Sequence, residues 1–185
     1  ESLSTFLYGV FMSCMTLFHI VPAFSAVFGK SALPGITAAW ASKKEYELAA
    51  QATKTLKITV LMAAPMSLGL AAVTTPALRI LYPSLPGMQA VGSVILPILA
   101  ISSFFFAFLA PYQSIMQGIG RADLPFKAVI CGAAIKLLAN LTLIRLPSIH
   151  IIGAAIGTLL CYLSIFIFSF FSLRKVLPIG LSVTG

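Results

Sequence analysis

From Val91 to Gln117 the chain carries no charged residue, and this run is longer than the roughly 18 apolar residues that mark a membrane span. Four further runs obey the same rule. Leu3 to Trp40 contains only Lys30, Ile58 to Leu81 only Arg79, Ala128 to Ile144 only Lys136, and Ile151 to Leu173 no charge at all. Charged residues make up 9% of the 185, far below the soluble average of about 25%. Inside hydrocarbon each backbone N–H and C=O has to be satisfied within its own segment, which a helix does. The expected fold is therefore an all-α integral membrane protein with five transmembrane helices.

The reading divides the chain as follows. A long kinked span covers 3–40, an amphipathic helix 42–57, further spans 58–81, 91–117, 128–144 and 151–173, and a tail 174–185. The first run exceeds a hydrocarbon core of about 30 Å, so it must tilt or bend, and Pro22 and Pro34 are the expected bends. A hairpin turning at Gly29-Lys30-Ser31 is the rival, but only Ala32 to Trp40 would remain for its second arm. Ser42 and Glu45 have the spacing of a capping box and predict a helix start. Tyr46, Ala49, Ala50 and Leu56 then share one face, as in a helix lying on a membrane surface, the alternative being an ordinary solvated helix. Pro65, Pro76, Pro97 and Pro111 are expected to act as hinges. Gly132 in GAAI and the Gly153/Gly157 pair mark small-residue faces for helix packing.

The net charge of +8 would suggest nucleic acid in a soluble domain, but here the basic residues flank apolar spans and no nucleic-acid partner is expected. Five spans place Lys43, Lys44, Lys54, Lys57, Arg121, Lys127, Arg174 and Lys175 on one side and only Arg79 and Arg145 on the other. By the positive-inside rule the richer side is cytoplasmic, which sets Glu1 outside and the C-terminal tail inside. A chain that starts outside, with no initiator methionine and no signal sequence, is expected to be a piece of a longer protein.

Chemistry is sparse. No Asp or Glu falls within a span, His19 and His150 stand far apart, and Cys14, Cys131 and Cys161 have no metal-ligand spacing. No catalytic residue, metal or cofactor is expected, and the chain does not read as an enzyme. Lys30 and Lys136 stand out because each lies about a dozen residues from the cytoplasmic flank, near mid-depth, where a charge costs at least about 2.5 kcal/mol. Asn140 is one turn beyond Lys136, so an ammonium and an amide share one face and can meet an anionic group. The alternatives are that Lys30 snorkels to the interface and that Lys136 bonds a neighbouring helix's carbonyls. Gln113 and Gln117 either line a polar seam or hold helices together.

Two sets of motifs carry a resemblance. A Pro-ended helix, a basic linker and the helix with PMSLGL, followed by QGIGR, GAAIKLLAN and GAAIGTLLCYL in order, resemble the eighth to twelfth helices of polysaccharide-type lipid flippases. These belong to the multidrug, oligosaccharidyl-lipid and polysaccharide exporter superfamily, and the likeness is strongest to the stage V sporulation protein B branch and the lipid II flippases. The resemblance implies a two-lobed protein of about a dozen or more helices that moves an undecaprenyl-pyrophosphate-linked saccharide across a bacterial cytoplasmic membrane. This chain would supply most of the second lobe, with the first lobe, membrane lipids and the lipid-linked anionic saccharide as partners. Lys136 falls where the family often has a basic residue. Lipid II flippases place an arginine about one turn before the proline of the eighth helix; here Thr16 to His19 occupy that place, so His19 is the residue that can take the role. The rivals are a cation-coupled drug antiporter of the same superfamily and a membrane-embedded glycosyl- or acyltransferase.

Overall fold

The computed structural model describes residues 2–81, 83, 86–143 and 150–177. All regular structure among them is helical: α1 (Ser2–Phe18), α2 (Ile20–Ala41), α3 (Glu45–Ala72), α4 (Thr74–Leu81), α5 (Pro86–Ala107), α6 (Leu109–Gly118), α7 (Asp123–Leu143) and α8 (His150–Val176). Among the described residues five stretches are long and apolar enough to cross a membrane: Tyr8–Ala41, Glu45–Ala72, Gln89–Gly118, Asp123–Thr142 and Ile152–Val176. The expected end of the fourth span at Ile144, Arg145, and most of the tail lie outside the described residues.

Prolines explain the three single-residue breaks. Pro22, Pro76 and Pro111 each stand three residues after a break, at His19, Val73 and Phe108. A proline has no N–H for the carbonyl four residues earlier and its ring crowds that carbonyl. The carbonyls concerned are those of Phe18, Ala72 and Ala107, the last residues of α1, α3 and α5. Thr74 covers two neighbouring carbonyls instead, donating from Oγ1 to Leu70 at 3.1 Å and Ala71 at 2.8 Å. Pro34, Pro65 and Pro97 lie inside uninterrupted helices, so the bend expected at Pro34 and the hinges expected at Pro65 and Pro97 have no break beside them. Replacing Pro111 by Ala restores the missing donor and should straighten the α5–α6 joint. Spin labels at Val94 and Gln117 in the full-length protein should then move toward the roughly 34 Å of a straight helix; an unchanged distance distribution would show that the proline does not set the bend.

The α2–α3 turn also differs from the expectation. Ser42 closes α2 instead of opening α3: Lys43 N–H donates to Trp40 O and Lys44 N–H to Ala39 O, each at 3.0 to 3.1 Å. With Lys43 at φ 55° this is a Schellman closure. Lys44 then precedes the helix and pairs with Glu47 at 2.8 Å, so the Ser42–Glu45 capping box is not formed. The α6–α7 turn repeats the closure with glycine in the left-handed position, Gly120 at φ 75°, and Arg121 N–H bonding Met116 O at 2.7 Å. The segment assigned to a separate surface helix is the first part of α3, which runs unbroken to Ala72. Its inward face is Leu48, Ala52, Thr55 and Thr59, with Leu56 packed beside them, whereas Tyr46 is 87% exposed, so the expected face of Tyr46, Ala49, Ala50 and Leu56 is split between surface and core.

Small residues bring the helices close where they cross. Gly29 of α2 meets the backbone of Ala110 and Pro111, and Ile36 of the same helix meets Gly118, so α2 and α6 run parallel. Gly35 lies against Gln51, which closes the antiparallel α2–α3 pair. Val27, Leu61, Leu68, Leu137 and Leu138 are each more than half exposed, the arrangement of a surface solvated by lipid. Several buried hydroxyls turn back onto their own helices: Thr59 donates to Thr55 O at 2.9 Å, Ser102 to Ile98 O at 2.7 Å and Thr158 to Ala154 O at 2.9 Å. These three are satisfied within their own helices.

Candidate functional site

The antiparallel α7–α8 pair places Lys136. Gly132 stands opposite Ile165 and the carbonyl of Cys161, and two turns further on Asn140 meets Gly157. Lys136 lies between these contacts on α7 and is half-buried. The small-residue faces foreseen at Gly132 and Gly157 are therefore the two ends of one seam. Among the described residues, Asn140 Oδ1 is buried in that seam without a hydrogen-bond partner. A buried amide oxygen left unpaired costs about 1–3 kcal/mol.

The other expected residues lie elsewhere. His19 occupies the break between α1 and α2, where Nδ1 lies 2.6 Å from Met15 O. Because a carbonyl only accepts, Nδ1 donates its proton to Met15 O. Lys30 is exposed on α2, one residue beyond the tight Gly29 crossing. Gln113 is half-buried and Gln117 exposed on α6. Lys136 and Asn140 stand one helical turn apart on α7, whereas Lys30 stands on α2, which packs on α3, α5 and α6.

An aromatic cluster that the sequence reading did not single out surrounds the breaks at His19 and Phe108. Phe18, fully buried, stacks on Phe106 with centroids 5.7 Å apart and leans on Tyr162 at 5.5 Å. Phe106 and Tyr162 stack at 4.3 Å, and His19 presents its ring edge-on to Phe18 at 5.0 Å. Phe108, at the α5–α6 break, meets Phe166 at 4.9 Å. The signal was available: FFFAF at 104–108 and the four-residue spacing of Tyr162, Phe166 and Phe170 put a ring row on each of two helices.

Comparison with known proteins identifies the architecture. Two uncharacterised membrane proteins of Methanocaldococcus jannaschii are similar, one at 31% identity over 46% of this chain and the other at 28% over 88%. The lipid II flippase MurJ of Bacillus subtilis is 24% identical over 86% of this chain. The chain spans 20%, 31% and 29% of the lengths of these three relatives. A solved inward-facing multidrug resistance MATE family transporter of the MOP superfamily shares the fold, with a TM-score of 0.72 at 17% identity, covering 91% of this chain and 37% of that one. The MatE family model matches residues 7–142, from within α1 to the last turn of α7. Matched across most of its length, this chain belongs to the MatE family.

Proposed function

We propose that these helices are most of the second lobe of a lipid flippase that carries an undecaprenyl-pyrophosphate-linked saccharide across a bacterial cytoplasmic membrane by alternating access. The observation that carries this reading is the charge inventory. Away from the helix ends the spans hold the cations Lys30, Lys54, Lys57 and Lys136 and no carboxylate; the chain's four acids are Glu1, Glu45, Glu47 and Asp123. Asp123 is already engaged by Arg121 at 3.4 Å and Lys127 at 3.3 Å. Such a lobe attracts an anionic group and offers nothing to hold a cation. The similarity to a lipid II flippase over 86% of the chain agrees with it. Lys136 with Asn140 binds the pyrophosphate, His19 and Lys30 assist from the other side of the lobe, and Gln113 and Gln117 line the route. Among cell-wall lipid flippases, the QGIGR and GAAIKLLAN motifs favour the stage V sporulation protein B branch.

A second reading, a drug antiporter, has the shared fold of the multidrug transporter in its favour. The full-length protein reconstituted in vesicles separates the two. Translocation of an undecaprenyl-pyrophosphate-linked saccharide is expected, and proton-driven efflux of a cationic dye with no movement of the saccharide would replace this reading by the antiporter.

In the proposed orientation the end carrying Lys43, Lys44, Arg121, Lys127, Arg174 and Lys175 is cytoplasmic. Single cysteines at Ser42 and Ser84 in a cysteine-free full-length protein check it in cells. An impermeant thiol reagent should label the Ser84 position and spare Ser42; labelling of Ser42 alone would invert the topology.

A further inference from the structure

A groove of about 530 Å³ runs along the outer side of the α7–α8 pair toward its basic end, remote from Asn140. We propose that this groove holds one bilayer phospholipid with a net anionic headgroup, its phosphate at Lys175 and one acyl chain along Ile167, Phe168 and Phe171. The inference is independent of what the protein transports.

Three observations fit that occupant. The groove's walls are mostly apolar, with Cys131 of α7 facing Ile167 and Phe171 of α8, both of the latter well exposed. Its length matches one leaflet: from Ser164 at the deep end to Lys175 at the end of the span the helix rises about 16 Å, close to half of a roughly 30 Å hydrocarbon core. Its charge is placed for a headgroup and not for a chain, because Lys175 stands where the apolar wall stops. Neighbouring charges leave Lys175 available. Asp123 is shared by Arg121 and Lys127, Arg174 lies over the Phe170 ring at 4.5 Å, and Lys175 has no ion-pair partner among the described residues. Basic residues at a membrane surface recognise anionic lipids through this combination of a flanking ammonium and an apolar cleft.

The test uses the full-length protein, purified in mild detergent from vesicles of phosphatidylcholine alone or of phosphatidylcholine with a quarter phosphatidylglycerol, with no transport substrate added. Retained lipid is read by native mass spectrometry. Wild type is expected to keep phosphatidylglycerol in preference to phosphatidylcholine. Lys175→Gln should lower phosphatidylglycerol retention about fivefold, the equivalent of about 1 kcal/mol for one basic residue, and leave phosphatidylcholine retention unchanged. Ser164→Trp, which fills the deep end, should lower retention of both. Equal retention of the two lipids by wild type overturns the proposal, as does undiminished phosphatidylglycerol in both variants. Absence of any retained lipid, with Cys131 shielded from thiol reagents in both vesicle types, means that another segment of the longer protein occupies the groove and overturns it equally.

Discussion

Lys136→Ala should cut the affinity of the full-length protein for an undecaprenyl-pyrophosphate lipid by about tenfold to a hundredfold while its melting temperature stays near wild type. The range follows from losing charge-assisted hydrogen bonds to a phosphate, worth about 1.5–3 kcal/mol, at about 1.4 kcal/mol per decade. Lys136→Arg should retain part of the binding, since the charge remains but the compact ammonium does not. The structure sharpens the competing scaffold role, because Lys136 sits in the seam between the Gly132 and Gly157 contacts. If the lysine only joins α7 to α8, alanine leaves binding intact and lowers the melting point. Asn140→Leu supplies the companion measurement: it removes the buried unpaired Oδ1 but thickens the side chain against Gly157, so it should weaken packing and binding together.

Gly29→Val should be among the most destabilising single changes in these helices. A Cβ at Gly29 would stand 3.0 Å from Ala110 C, Ala110 O and Pro111 N, all of them backbone atoms that no rotamer change can move. The parallel α2–α6 crossing must open, at about 1–3 kcal/mol for overpacking. Gly69→Ala is the control, since nothing lies within 4 Å of a Cβ there and alanine is the better helix former by about 1 kcal/mol. Thermal unfolding of the full-length protein should show a clear fall for the first and none for the second. Equal melting points for Gly29→Val and wild type would mean that the crossing is looser than described.

How far the sequence was legible follows from what each signal depends on. The spans could be read because hydrocarbon imposes a length and forbids charge, and both are local properties of the chain. Proline positions could be read too, but not which of them would interrupt a helix. Pro22 and Pro111 lie where helices cross or rings cluster, and Pro34, Pro65 and Pro97 do not open their helices. The capping box failed because Ser42 was already committed to ending α2, and only the three-dimensional closure through Lys43 reveals that commitment. At the candidate site, the shared face of Lys136 and Asn140 is a consequence of helical spacing. That Gly157 stands opposite Asn140 is a matter of register between two helices, which no single segment encodes. The ring row on α5 and α8 was visible as composition; its convergence on His19 was not.

The central claim is that the lobe recognises the pyrophosphate of a lipid-linked cargo. The measurement that meets it most directly is equilibrium binding of two polyprenyl lipids to the full-length protein in nanodiscs, one bearing a pyrophosphate and the other the free alcohol of the same chain length. The account expects tight binding of the pyrophosphate lipid that weakens as salt rises, with little affinity for the alcohol, because the recognition is electrostatic. Equal affinity for the two lipids, insensitive to salt, would contradict it.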